Sequence, residues 1–106
     1  MVTFIARLKI IEGKEDEALG RLKEMVQTVR GNEPGALVYC CHRCAYDPLE
    51  IVFYEMYADE AAKDAHMTTP YLDALLSLLG DVFDDEFGVQ VEDLVPVALH
   101  GQSVSE

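Results

Sequence analysis

The chain has no tryptophan, and its eight lysines and arginines stand against twenty aspartates and glutamates, a formal net charge of −12. Such an excess of acid repels phosphate backbones and anionic lipid, which argues against nucleic acid or a membrane surface as partner. No apolar run approaches the ~20 residues that a membrane span requires. The opening MVTFIARLKIIEG lacks the basic start, apolar centre and small-residue cleavage site of a secretory signal, so a cytoplasmic location is the expectation. Cysteine is also sparse and badly placed for cross-linking. Cys40, Cys41 and Cys44 crowd into YCCHRCAY, an odd number that cannot form the framework of a disulfide-stapled domain. CHRC fits C-x-x-C, but there is no second C-x-x-C and no H-x-x-x-H to complete a structural metal site. A redox pair should open a helix, whereas this one lies in a strand-like run. The cysteines therefore read as small apolar residues, and no metal is expected.

What remains is globular: 50% of the residues are apolar and 26% charged, within 106 residues. That length suits one domain, with a core over 3–99 and a tail over 100–106. Residues 3–11 alternate as a strand. From Lys14 to Arg30, Ala18, Leu19, Leu22, Met25, Val26 and Val29 fall on one helical stripe, with Gly31 and Asn32 expected to end it. EPG turns the chain into a strand over 36–46, and Asp47-Pro48 joins it to another over 50–58. Asp59 is a natural N-cap for EAAKDAH, and Thr69-Pro70 restarts a helix through YLDALLSLLG. The acids of GDVFDDEFG read as a solvated loop, followed by a last strand within 88–101, with Pro96 tolerable at an edge.

The order is β-α-β-β-α-β, an α+β ferredoxin-like fold with both helical regions on one face of an antiparallel sheet. The middle strands carry apolar residues on both sides. Their second face therefore calls for a partner, and a symmetric homodimer supplies it with the least new structure. Glu55 stands out between Phe53 and Tyr57. A carboxylate is costly to bury without a partner, which Arg7, Arg43 or His66 could provide. Tyr57 shares its parity and Tyr54 does not; Tyr39, Tyr54 and Tyr57 are either core or the wall of a pocket.

The opening strand with EGKEDEALGRL, the EPGALVY entry, the DP turn and FYEMYADEAAKDAHMTTPY together resemble the antibiotic biosynthesis monooxygenase domain family, over nearly all of 3–99. The stretch from Glu55 through Tyr57 and Asp59 to His66 and Thr69 is its most specific part. The resemblance implies a dimeric α+β barrel that oxidises a small quinol-like or polycyclic aromatic substrate with molecular oxygen, using no flavin, haem, metal or other cofactor. It also implies a pocket between sheet and helices. His66 matches the family's helix histidine and would serve as the base, with Glu55 as its partner and Tyr57 and Tyr39 against the substrate. A haem-degrading role is disfavoured, because Ala6 and Tyr57 stand where that branch has asparagine and tryptophan. Two other readings share the fold: a non-catalytic dimeric barrel that holds a small apolar ligand or serves a stress response, and a proton-transfer enzyme or isomerase.

Overall fold

The structure is a computed structural model that describes residues 1–100; the expected tail lies, from residue 101 onward, outside the described residues. Strands β1 (Val2–Lys9), β2 (Ala36–Arg43), β3 (Glu50–Tyr57) and β4 (Gln90–Leu94) form one antiparallel sheet in the order β2-β3-β1-β4. Helix α1 (Glu15–Asn32) links β1 to β2, and the short helices α2 (Glu60–Met67) and α3 (Pro70–Leu76) lie between β3 and β4. This is the α+β ferredoxin-like arrangement that the order of elements implies.

Alternation decides which side chains meet the helices. Phe4, Ala6, Leu8 and Ile10 are buried along β1 and its extension, and Ile51, Phe53, Glu55 and Tyr57 along β3. The α1 residues Ala18, Leu22, Met25 and Val29 close over them at helical spacing. On the other face Ile5, Val38, Cys40, Val52 and Tyr54 are half-buried.

Helix α1 ends at Asn32, as the Gly31-Asn32 pair suggests, but neither residue turns left-handed; the Asn32 side chain donates back to the Thr28 carbonyl at 2.7 Å instead. Pro34 stops it, since the residue before a proline is pushed out of helical conformation. Thr69 does not cap α3 with its side chain; its hydroxyl donates backward to the His66 carbonyl at 2.8 Å and closes α2. Strand β4 ends at Leu94, opposite Thr3, because β1 offers almost nothing beyond that point to pair with. Pro96 follows, and Val95 and Val97 are left 88% and 89% exposed.

The acidic loop also holds a surprise. Its carboxylates are mostly exposed, but Val82 and Phe83 are fully buried and dock on the end of β1 through Ile11 N–H to the Val82 carbonyl at 2.9 Å. Asp59 caps α2 as expected, accepting from the Ala62 amide at 2.8 Å.

Gly35 sets how closely α2 approaches the sheet. A Cβ there would stand 2.7 Å from the Ala62 Cβ, one helical turn before His66. Gly20, within α1, would meet nothing within 4 Å. Gly35→Ala should therefore destabilise the fold by about 1–3 kcal/mol through overpacking, and Gly20→Ala should stabilise it by about 0.5–1 kcal/mol. Thermal or urea melts read both, and opposite signs would disprove this account of the α2 contact.

Candidate functional site

Beneath the helices, one polar cluster is built into the apolar face of the sheet. Alternation along β3 points Glu55 and Tyr57 inward, and Glu55 has Phe4 and Tyr39 as cross-strand neighbours. Tyr54 falls on the opposite face, as its parity requires. His66, on the last turn of α2, enters from above and is 1% exposed. Its ring lies 5.3 Å from Tyr39 and 5.4 Å from Tyr57, centroid to centroid.

The imidazole is held between two carboxylates. Its Nδ1 lies 2.9 and 3.0 Å from the two oxygens of Glu33, which caps the end of α1. The Tyr71 hydroxyl donates to the same Glu33 carboxylate from the first turn of α3. A carboxylate only accepts, so this pattern assigns the Nδ1 hydrogen to the Glu33 bond and leaves the Nε2 lone pair on the other side. There Glu55 Oε1 stands 3.8 Å away, too far for a hydrogen bond, and already accepts from the Tyr57 hydroxyl at 2.6 Å.

Of the residues that the sequence nominates, His66, Glu55, Tyr57 and Tyr39 are thus brought together, but the partner that orients the histidine is Glu33. The expected arginine partners go elsewhere: Arg7 pairs with Glu50 and Glu92, and Arg43 Nε donates to the Pro48 carbonyl at 2.8 Å. Both follow from position, because Arg7 is on the far face of β1 and Arg43 at the end of β2. Three cavities, of about 550, 270 and 60 Å³, are bordered by other residues, with only Tyr71 of this cluster on the smallest.

Glu33 and Tyr71 escape a reading of the sequence, since EPG looks like an ordinary turn. A faint signal exists. An acid at a helix C-terminus opposes the helix dipole, so Glu33 is locally out of place and needs a reason to be there. The cysteines are dispersed. Cys41 lies on the helix side and burial pushes its thiol up to about 12, whereas Cys40 is on the other face and Cys44 lies past the strand. All are free, and among the described residues no group of His, Cys, Asp and Glu side chains is arranged to hold a metal ion.

Burial shapes the electrostatics. It raises the Glu55 carboxyl above its ordinary range, and the Tyr57 hydroxyl and His66 only partly oppose this. Tyr57 and Tyr39 are likewise pushed up, by burial first and then by the Glu55 charge, so both phenols stay protonated and act as donors or walls. Tyr71 rises to about 12, by burial and then by its bond to Glu33.

Because Glu55 titrates higher in the fold than in the unfolded chain, its stabilising contribution is full when it is protonated and fades as pH rises through its folded value. Glu55→Gln keeps an acceptor for the Tyr57 hydroxyl and removes the buried charge. The variant should therefore melt higher than the parent near pH 8, by a few degrees for about 1 kcal/mol, with the gain vanishing towards pH 4. A gain that grows with acidification would contradict the buried-charge account.

The profile of the family described as antibiotic biosynthesis monooxygenase matches residues 1–76. An antibiotic biosynthesis monooxygenase of known structure is 31% identical, with 91% of this chain covering 100% of that one at a TM-score of 0.76. A candidate antibiotic biosynthesis monooxygenase from Caulobacter crescentus CB15 is 27% identical, with 92% and 90% of the two chains covered and a TM-score of 0.82. Another, from Bacteroides thetaiotaomicron VPI-5482, is 25% identical over 98% and 95%, with a TM-score of 0.80. No curated protein matches. With the family's profile matching residues 1–76 and the fold shared over 91% of the chain, the chain belongs to the antibiotic biosynthesis monooxygenase family.

Proposed function

We propose that the protein is a cofactor-independent monooxygenase in which His66 Nε2 takes a proton from a small quinol-like or polycyclic aromatic substrate. The observation that carries this reading is the buried imidazole held through Nδ1 by Glu33, which leaves Nε2 as the free basic atom. A domain of this size gains nothing in stability from sinking a histidine and two carboxylates beneath its helices, so the cluster calls for a functional reason. Family membership supplies the reaction class.

Deprotonation turns an electron-rich aromatic into an anion that can pass an electron to molecular oxygen, which the neutral substrate does poorly. Radical and superoxide recombine to a peroxide that takes back the proton held on His66. Loss of a second hydrogen from the same substrate carbon with cleavage of the O–O bond then leaves a carbonyl on the substrate and releases water. Glu33 has two tasks: it fixes the tautomer and ring plane, and its charge stabilises the imidazolium once the proton has moved. The hydroxyls of Tyr57 and Tyr71 keep both carboxylates from standing unpaired. Tyr39 makes no hydrogen bond through its hydroxyl among the described residues, and we assign it to the substrate's ring.

We also propose a homodimer joined through the sheet face away from the helices. The half-buried Ile5, Val38, Val52 and Tyr54 lie there, and the exposed Val95 and Val97 extend past β4. Sedimentation at micromolar concentration should give two chains per particle, and a stable folded monomer would remove this proposal. No helix among the described residues is long and apolar enough to cross a membrane.

Oxygen uptake measured with a panel of dihydroxyaromatics tests the chemistry. His66→Ala should lower turnover by roughly 10² or more with the fold intact. Glu33→Gln keeps a hydrogen bond to Nδ1 but lacks the charge that stabilises the imidazolium, so it should reduce turnover by less than His66→Ala does. Glu55→Gln should cost less than His66→Ala. Equal oxygen uptake by the parent and His66→Ala would refute the assignment of the base, and substrate turnover without oxygen uptake would move the protein to the proton-transfer class.

A further inference from the structure

Beside this cluster but bordered by other residues, α1 and β2 enclose a groove of about 550 Å³, within the usual range of small-molecule sites. Its walls are apolar: Leu19, Leu22 and Val26 from α1, and Ile51 from β3. The charged groups on it are Lys23 and Arg43, with His42 beside them. Among the described residues, no aspartate or glutamate borders it. The other cavities differ in this respect. Glu24 accompanies Arg21 on the smallest, and Glu60 and Asp93 accompany Lys63 on the third.

We propose that this groove binds a small organic anion with an apolar body, such as an aromatic carboxylate, whose acid group is held by Lys23 and Arg43. In a chain with a net charge of −12, a groove with cations and no acid is a local reversal of sign. Lys23 and Arg43 form no ion pair among the described residues, and Arg43 is tied only through Nε to the Pro48 carbonyl. That bond steadies the guanidinium and leaves its terminal nitrogens to meet a carboxylate in a fork.

The groove also adjoins the buried cluster. Cys41 lies on it, one strand repeat beyond Tyr39 on the same face of β2. Phe53, the cross-strand partner of Cys41, is 5.5 Å from the Tyr39 ring, and Tyr39 is 5.3 Å from His66. A bound aromatic anchored by its acid group at the mouth would thus have its far end directed towards Tyr39. As a binding site the groove stands on its own geometry; as the substrate's site it rests on the function proposed above.

The test compares 2-naphthoate with the neutral 2-naphthalenemethanol on the full chain, by titration calorimetry in about 20 and about 300 mM salt. Naphthoate should bind at least ~10-fold more tightly than the alcohol, with the preference shrinking in the higher salt. The Lys23→Gln, Arg43→Gln double variant should lose the preference and keep the alcohol's affinity. Val26→Trp, which fills the groove, should block both probes. His66→Ala should leave naphthoate affinity within about twofold while lowering turnover by roughly 10² or more, which separates this site from the catalytic reading. The proposal is overturned if acid and alcohol bind alike, if the double variant weakens both equally, or if Val26→Trp binds naphthoate normally. It is also overturned if neither probe binds, and dissociation of a dimer by Val26→Glu would then assign the groove to a second copy.

Discussion

The structure depends on one buried contact, the imidazole of His66 against the carboxylate of Glu33, with Glu55 closing the other side. Three elements must end in register for it to exist: the C-terminus of α1, the last turn of α2 and the middle of β3. Removing an ionisable group from water is expensive unless its partners are in place beforehand. Here they are. Two tyrosine hydroxyls satisfy the carboxylates, and two tyrosine rings pack against the imidazole. Apolar side chains of similar size would serve the core at least as well, which is why this cluster speaks for chemistry and not for stability.

Local features secure that geometry. Gly35 lets α2 lie close to the sheet, where any larger residue would meet Ala62. Pro34 ends α1 and turns Glu33 inward. The Thr69 hydroxyl closes α2 on the His66 carbonyl, so that Pro70 can start a new helix and bring Tyr71 over Glu33. At the far end, Val82 and Phe83 seal the core from within an otherwise acidic loop. Each device is short-range, yet together they place groups separated by more than thirty positions within hydrogen-bond distance.

Charge is distributed with similar economy. Acidic residues line the solvated faces, where they favour solubility and repel polyanions. Among the described residues they enter the interior only as Glu55 and, at its margin, Glu33. Arg7 and Lys9 are paired at the surface with Glu50, Glu92 and Asp47, pairs that contribute little to stability in high dielectric. The groove beside α1 is the place where cations meet apolar walls without a neutralising acid.

Local pattern alone specified the order of elements, because periods of two and of about 3.6 residues are properties of strand and helix themselves. It also specified the inward direction of Glu55 and Tyr57, the cap at Asp59 and the break after His66, each fixed within a few residues of chain. Tertiary structure decided the rest. That Val82 and Phe83 are core and not loop depends on what the end of β1 leaves uncovered. That Glu33 rather than Glu55 orients His66 depends on where α1 ends relative to α2, a distance no local pattern encodes. Strand parity can say which way a carboxylate points, but only the packing of helix on sheet determines which one comes within 3 Å of an imidazole.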